Sequence, residues 1–242
     1  MIVIPRRKLV IFALFAIMCT VAVYISKAPY RSAFSAKTTK TVIIDAGHGL
    51  PDGGAVGMNG TIESTLNIKI AKLVQKDLEK KGYTVIMTRD GEETIAEGDM
   101  PIGKLKKADM NKRLDIMRDS DADMFVSIHM NKFTDSRYCG AQVIYSGNYP
   151  ESKILAEILQ KSLHTLSDNK SKRTHAKAPK GIFLLKNAPI PAVIVECGFL
   201  SNFDEEKLLN TEKYQKELAK AISDGIVNYY ERTDKNESVR NG

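Results

Sequence analysis

Six short apolar runs between Thr41 and Tyr230 constrain this chain most: "TVIID", "YTVIMT", "MFVSIH", "AQVIY", "IFLL" and "AVIVEC". Each is brief and apolar at consecutive positions, and most are rich in β-branched residues, which suits strands buried on both faces. Between the runs the apolar period changes to that of a helix. In "IESTLNIKIAKLVQKDLEKKG", Leu66, Ile70, Leu73, Val74 and Leu78 recur at helical spacing, and Gly82 stops the helix. "KRLDIMRDS", "SKILAEILQKSLHTL" and "EKYQKELAKAISDGIVNYY" read as further helices. The alternation predicts an α/β domain of three layers, a largely parallel central sheet flanked by helices. Residues 90–104 and 168–180 read as loops, the second of them basic.

The chain has 242 residues, 43% of them hydrophobic and 27% charged, enough for one medium domain with a core plus a targeting segment. The net charge of +7 suits an anionic partner, whether a polyanionic wall or a membrane surface. Few aromatics, no Trp and no RNA- or DNA-reading motif argue against nucleic acid.

At the start, Arg6, Arg7 and Lys8 precede an uncharged, mostly apolar run from Leu9 to Ile25. This is the layout of an export signal, and the run falls just short of the roughly 20 residues of a spanning helix. Residues 1–27 therefore read as a signal peptide or an N-terminal membrane anchor, and either exports the rest. Residues 28–40 read as a linker, 41–230 as one folded domain, and 231–242 as a disordered tail. Beyond Cys19 in the apolar run, only Cys139 and Cys197 remain, and a domain of this size needs no disulfide.

The polar residues gather where the strands end. His48 follows "TVIIDAG" in a loop with Gly47, Gly49, Gly53 and Gly54, but without the spacing of a phosphate-binding motif. His129 ends "MFVSIH" and Glu196 ends "AVIVE". In an open parallel sheet the carboxyl ends of the strands line one edge, where ligands bind. Glu63 lies on the core-facing stripe of its helix, where a carboxylate needs a cationic partner to stay ionised. Two histidines and one carboxylate make a catalytic zinc site, leaving the other glutamate as general base. There is no HExxH, so the assignment rests on topology. Asp45 is a candidate to orient His48. Arg89 and Arg113 read as structural ion-pair formers, and His164 and His175 as surface residues.

"IIDAGHGLPDGGAVG" with "IES", then "TR" at Thr88 and Arg89, "SIHMN" at Ser127 to Asn131 and "VIVECGFLSN" at Val193 to Asn202 resemble the zinc-dependent N-acetylmuramoyl-L-alanine amidases. The resemblance covers residues 41–230. It implies His48, Glu63 and His129 as ligands of one zinc ion per chain, and Glu196 as the catalytic carboxylate. It implies peptidoglycan as substrate and an exported location, at the outer face of the membrane or in the wall and cortex space. It leaves room for an activating protein partner. The short layout resembles the family members that act on spore cortex, where muramic lactam forms. Lys132 departs from the small residue usual after the Asn of "SIHxN". Two other readings remain open: a zinc peptidase cutting within the stem peptide, and a non-catalytic peptidoglycan-binding scaffold. The second has no need of Glu196.

Overall fold

The computed structural model describes residues 40–166 and 173–240. The expected anchor or signal over residues 1–27 lies outside the described residues, as do the linker up to residue 39, residues 167–172 and the last two residues. Among the described residues six strands form one sheet in the order β2-β1-β3-β6-β4-β5. They are β1 (Thr41–Ala46), β2 (Thr84–Met87), β3 (Met124–Asn131), β4 (Gln142–Tyr145), β5 (Ala176–Lys177) and β6 (Ala192–Phe199). The pairings β2–β1, β1–β3, β3–β6 and β4–β5 are parallel; β4 runs antiparallel to β6. The expected largely parallel sheet is thus present, with one reversal toward the β5 edge.

Strand alternation divides the apolar runs between two cores. Val42, Ile44, Val126, Ile128, Val193 and Val195 point to one face. There they pack with helices α1 (Glu63–Lys80), α3 (Pro150–Leu163) and α6 (Glu212–Arg240), through residues such as Ile70, Leu159 and Ile222. Ile43, Phe125 and Ile194 point to the other face. They meet Leu114 and Met117 of α2 (Ile102–Asp119) and Leu184 and Leu185 of α4 (Phe183–Asn187). Truncating a fully buried aliphatic such as Ile70 to Ala costs about 2–5 kcal/mol. The chain passes from β1 through α1 to β2 on one side of β1, then returns through α2 to β3 on the other. The strand order therefore diverges between β1 and β3, where a crevice opens at the carboxyl ends.

Three expectations are corrected. "IFLL" is not a strand: its Phe183, Leu184 and Leu185 begin α4, and the remaining strand is the two-residue β5 inside the expected loop. A four-residue apolar run fits a buried helix turn as well as a strand, and Pro179 and Gly181 break the chain just before it. Helix α2 begins at Ile102, inside the expected loop 90–104, with Pro101 as its N-cap. The expected disordered tail continues α6 through residues 231–240. Extending an existing helix avoids the cost of nucleation. Asp234 also pairs with Lys40 at 3.3 Å, and Thr233 Oγ1 donates back to the Tyr230 carbonyl at 2.9 Å. One helix goes unforeseen, α5 (Phe203–Leu209), whose N-cap Asn202 accepts from the Glu205 N–H at 3.0 Å.

Candidate metal centre

His48 sits two residues beyond β1, in the turn that leaves the sheet. Its φ is 60°, a left-handed conformation that non-glycine residues seldom hold. Glu63 opens α1, His129 lies on β3, and Glu196 is the register partner of His129 on β6. One ligand atom from each of His48, Glu63 and His129 can be chosen so that all lie within 4.8 Å of one another. Glu63 Oε1 is shared: His129 Nδ1 lies 2.9 Å away and His48 Nε2 3.4 Å. The two imidazoles meet edge to face with ring centres 5.0 Å apart.

Each side chain is aimed by a further contact. The other ring nitrogen of His48, Nδ1, lies 3.0 Å from Asp52 Oδ2, and Asp52 is itself held by Lys106 at 2.8 Å. Glu63 accepts from the Ala55 N–H at 2.7 Å and the Met130 N–H at 3.1 Å. Two glycines leave room for the cluster. A Cβ on Gly47 would lie 2.1 Å from His129 Nε2, and one on Gly54 would lie 2.5 Å from Glu63 Oε2. Gly47 and Gly54 are therefore explained by close packing of the cluster's side chains, while Gly49 lies against the backbone of Glu93 and Thr94.

Burial opposes charge on His48, but hydrogen bonds and charge from Glu63 and Asp52 outweigh it and raise its pKa to about 9. Burial likewise opposes ionisation of Glu63, yet the two histidines hold its carboxyl well below the usual range. Glu196 goes the other way. Burial lifts its pKa to about 7, with the histidines pulling down and Glu63 pushing up. The residue is partly exposed, but its Oε2 is sealed from solvent and without a hydrogen-bond partner among the described residues. A cavity of about 380 Å³ opens beside the cluster, walled by His48, His129, Met110, Ile182 and Phe183 among others.

Two imidazoles and a buried, ionised carboxylate are a donor set suited to a divalent ion, and an acceptor on the second nitrogen of His48 is the usual support for a metal-binding imidazole. Other expectations resolve differently. Asp45 does not touch His48. Strand alternation turns it toward α2, where it pairs with Arg113 and accepts from Thr88 at 2.6 Å and from Ser127. Asp52 takes the role foreseen for Asp45. The available signal was its place four residues after His48 in the same loop. Arg113 is an ion-pair former, with Asp45 and Asp109, whereas Arg89 donates to backbone carbonyls. His164 and His175 lie outside the cluster, and the His164 ring contacts the Arg173 carbonyl at 2.7 Å. Cys139 and Cys197 are free thiols. Lys132 donates to the Val56 carbonyl at 2.8 Å, tying the β3 end to the loop before α1.

Residues 42–228 match the family model described as N-acetylmuramoyl-L-alanine amidase. The chain is 36% identical to the germination-specific N-acetylmuramoyl-L-alanine amidase of Bacillus subtilis (strain 168), over 79% of this chain and 80% of that protein. The chain belongs to the N-acetylmuramoyl-L-alanine amidase family. Solved structures agree with this amidase fold. The CwlD amidase from Clostridioides difficile, in complex with the GerS lipoprotein, aligns with a TM-score of 0.76 and 38% identity, over 80% of this chain and 99% of that one. An N-acetylmuramoyl-L-alanine amidase from Clostridium difficile 630 aligns with a TM-score of 0.70 and 28% identity, over 80% and 97%.

Proposed function

We propose that the chain is a zinc-dependent amidase that hydrolyses the amide between the lactyl group of N-acetylmuramic acid and L-alanine in peptidoglycan. The observation that carries this reading is the meeting of His48, Glu63 and His129 with Glu196 on the adjacent strand. His48, Glu63 and His129 hold the ion. When bound, zinc would supply Lewis-acid chemistry, polarising a carbonyl and lowering the pKa of water.

Glu196 moves the proton. Its carboxylate accepts a proton from the attacking water as the new C–O bond forms, then delivers it to the departing amine nitrogen as the C–N bond breaks. Without a metal, burial lifts its pKa to about 7, and a bound cation would draw it back toward the carboxylate that takes the proton from water. Asp52 keeps the His48 ring oriented, and the Ala55 and Met130 N–H groups fix Glu63. Met110, Ile182 and Phe183 give the adjoining cavity an apolar wall that excludes water from part of the bound substrate.

Spore cortex is the inferred substrate, by likeness to the germination-specific relative. A protein partner is inferred from the lipoprotein bound to the Clostridioides difficile relative. Among the described residues no helix is long and apolar enough to cross a membrane. Residues 1–27, as an export signal or a membrane anchor, are inferred to place the domain on the extracytoplasmic side. Labelling new amino termini in digested peptidoglycan tests the bond specificity. L-Alanine as the new terminus supports the amidase reading; a terminus from within the stem peptide would replace it with the peptidase reading.

A further inference from the structure

Two buried arginines meet beneath the loop that carries His48. Arg113 of α2 is 2% exposed and Arg89, just past β2, is 4% exposed. Arg89 Nε and Arg113 Nη1 each donate to the Ala46 carbonyl at 2.8 Å. Arg89 Nη2 donates to the Gly47 carbonyl at 3.1 Å, and Arg113 Nη2 to the His48 carbonyl at 2.5 Å. Three consecutive carbonyls are thus gripped by two guanidinium groups. Arg89 Nη2 also donates to the Ser64 carbonyl at 2.8 Å, one residue from Glu63, so the same side chain joins the His48 loop to the start of α1.

Charge pairing does not require this arrangement. Arg113 is paired with Asp45 and Asp109, yet it also donates to two backbone carbonyls. Arg89 donates to the carbonyls of Ala46, Gly47, Ser64 and Gly91. The gripped segment includes His48 at φ 60°, a conformation that persists only where its surroundings over-determine it. Only guanidinium has the donors to do this: five N–H groups in a rigid plane span adjacent carbonyls, while an ammonium is a point charge with three.

We infer that Arg89 and Arg113 are positioning residues, a clamp that fixes the peptide planes around Gly47 and His48 and so sets the metal affinity of the His48–Glu63–His129 group. The inference rests on the metal-centre reading above. It concerns how tightly the group holds an ion, and neither arginine takes part in proton transfer.

Arg89→Lys and Arg113→Lys keep the buried charge but remove the fork. Gln160→Met is the control. It deletes buried hydrogen bonds to Ala141 and Val143, which are neither in the metal group nor among the carbonyls that the arginines hold, and so perturbs stability without touching the clamp. Zinc affinity of the full chain is measured by chelator competition, and the ligand geometry by the visible spectrum of the cobalt-substituted protein. The expected result is zinc binding weakened about 10–100-fold in both arginine variants, with altered cobalt bands, and wild-type binding in Gln160→Met. Wild-type affinity and spectra in a folded Arg89→Lys protein would overturn the clamp, even if Arg113→Lys fails to fold. Equal weakening in Gln160→Met would also overturn it, because affinity would then follow global stability. Wild-type protein that takes up neither metal would overturn the metal-centre reading, and the clamp with it.

Discussion

His129 and Glu196 are register partners on the neighbouring parallel strands β3 and β6, and both side chains leave the same face of the sheet. Adjacent strands lie roughly 4.8 Å apart, so the pairing alone brings the imidazole of the proposed metal group beside the carboxylate proposed to move the proton. A register irregularity follows at once, between His129 and Asn131. The backbone N–H of the intervening Met130 donates to Glu63 at 3.1 Å. The end of one strand thus contributes a ring and a backbone donor to the same cluster.

Removing that ring should remove the ion. His129→Ala is expected to purify with well under one equivalent of zinc, while the wild type holds close to one. Elemental analysis of both proteins after dialysis checks this, and equal metal content would take His129 out of the site.

Gly47→Ala should reproduce the loss without touching a ligand. The added methyl would lie 2.1 Å from His129 Nε2, and the movable end of His129 must yield before the backbone of β1 does. Zinc affinity should fall about 10–100-fold with the circular dichroism of the sheet retained. Unchanged affinity would mean that the loop relaxes instead.

Acid stability of the metal-free protein should depend on Asp45. Burial alone would raise its pKa, but the Arg113 charge and the Ser127 and Thr88 hydroxyls win and hold it below the ordinary 3.8. A depressed folded pKa gives stability that is fully present above the unfolded value and is lost as pH falls through the folded one. Asp45→Asn leaves Arg113 with a buried partner missing, so about 3–5 kcal/mol should be lost at pH 7. Urea unfolding at pH 7, 5 and 3 should show the gap between wild type and variant narrowing toward pH 3. A constant gap would exclude Asp45 as the titrating group.

Residues 1–27 should matter for location and not for chemistry. A chain beginning at residue 28 is expected to cleave peptidoglycan in solution as the full chain does, but to leave the membrane fraction. Loss of cleavage with zinc still bound would contradict this division.

Much of this was legible in the sequence because the same residues fix fold and site. The β-branched runs ending in His129 and Glu196 specify both the strands and the edge they reach, and the stripe of α1 marks Glu63 as inward-facing. What was hidden depended on contacts between distant segments. "IFLL" was ambiguous because four apolar residues carry no period. Asp52 was overshadowed by Asp45, since loop geometry rather than strand position decides which carboxylate reaches His48. The arginine clamp was unreadable, because Arg89 and Arg113 act on backbone carbonyls, which leave no trace in residue type.

The division of labour between ligands and proton carrier is tested most directly by Glu196→Gln, with zinc content and muropeptide turnover measured on the same preparation. Gln has nearly the same shape but cannot take the proton from water. The expected result is close to one equivalent of zinc, a native fold and turnover reduced by about 10²–10⁴-fold or more. Near-normal turnover with zinc retained would contradict the assigned mechanism, and loss of zinc would make Glu196 a ligand and reopen the role of Glu63.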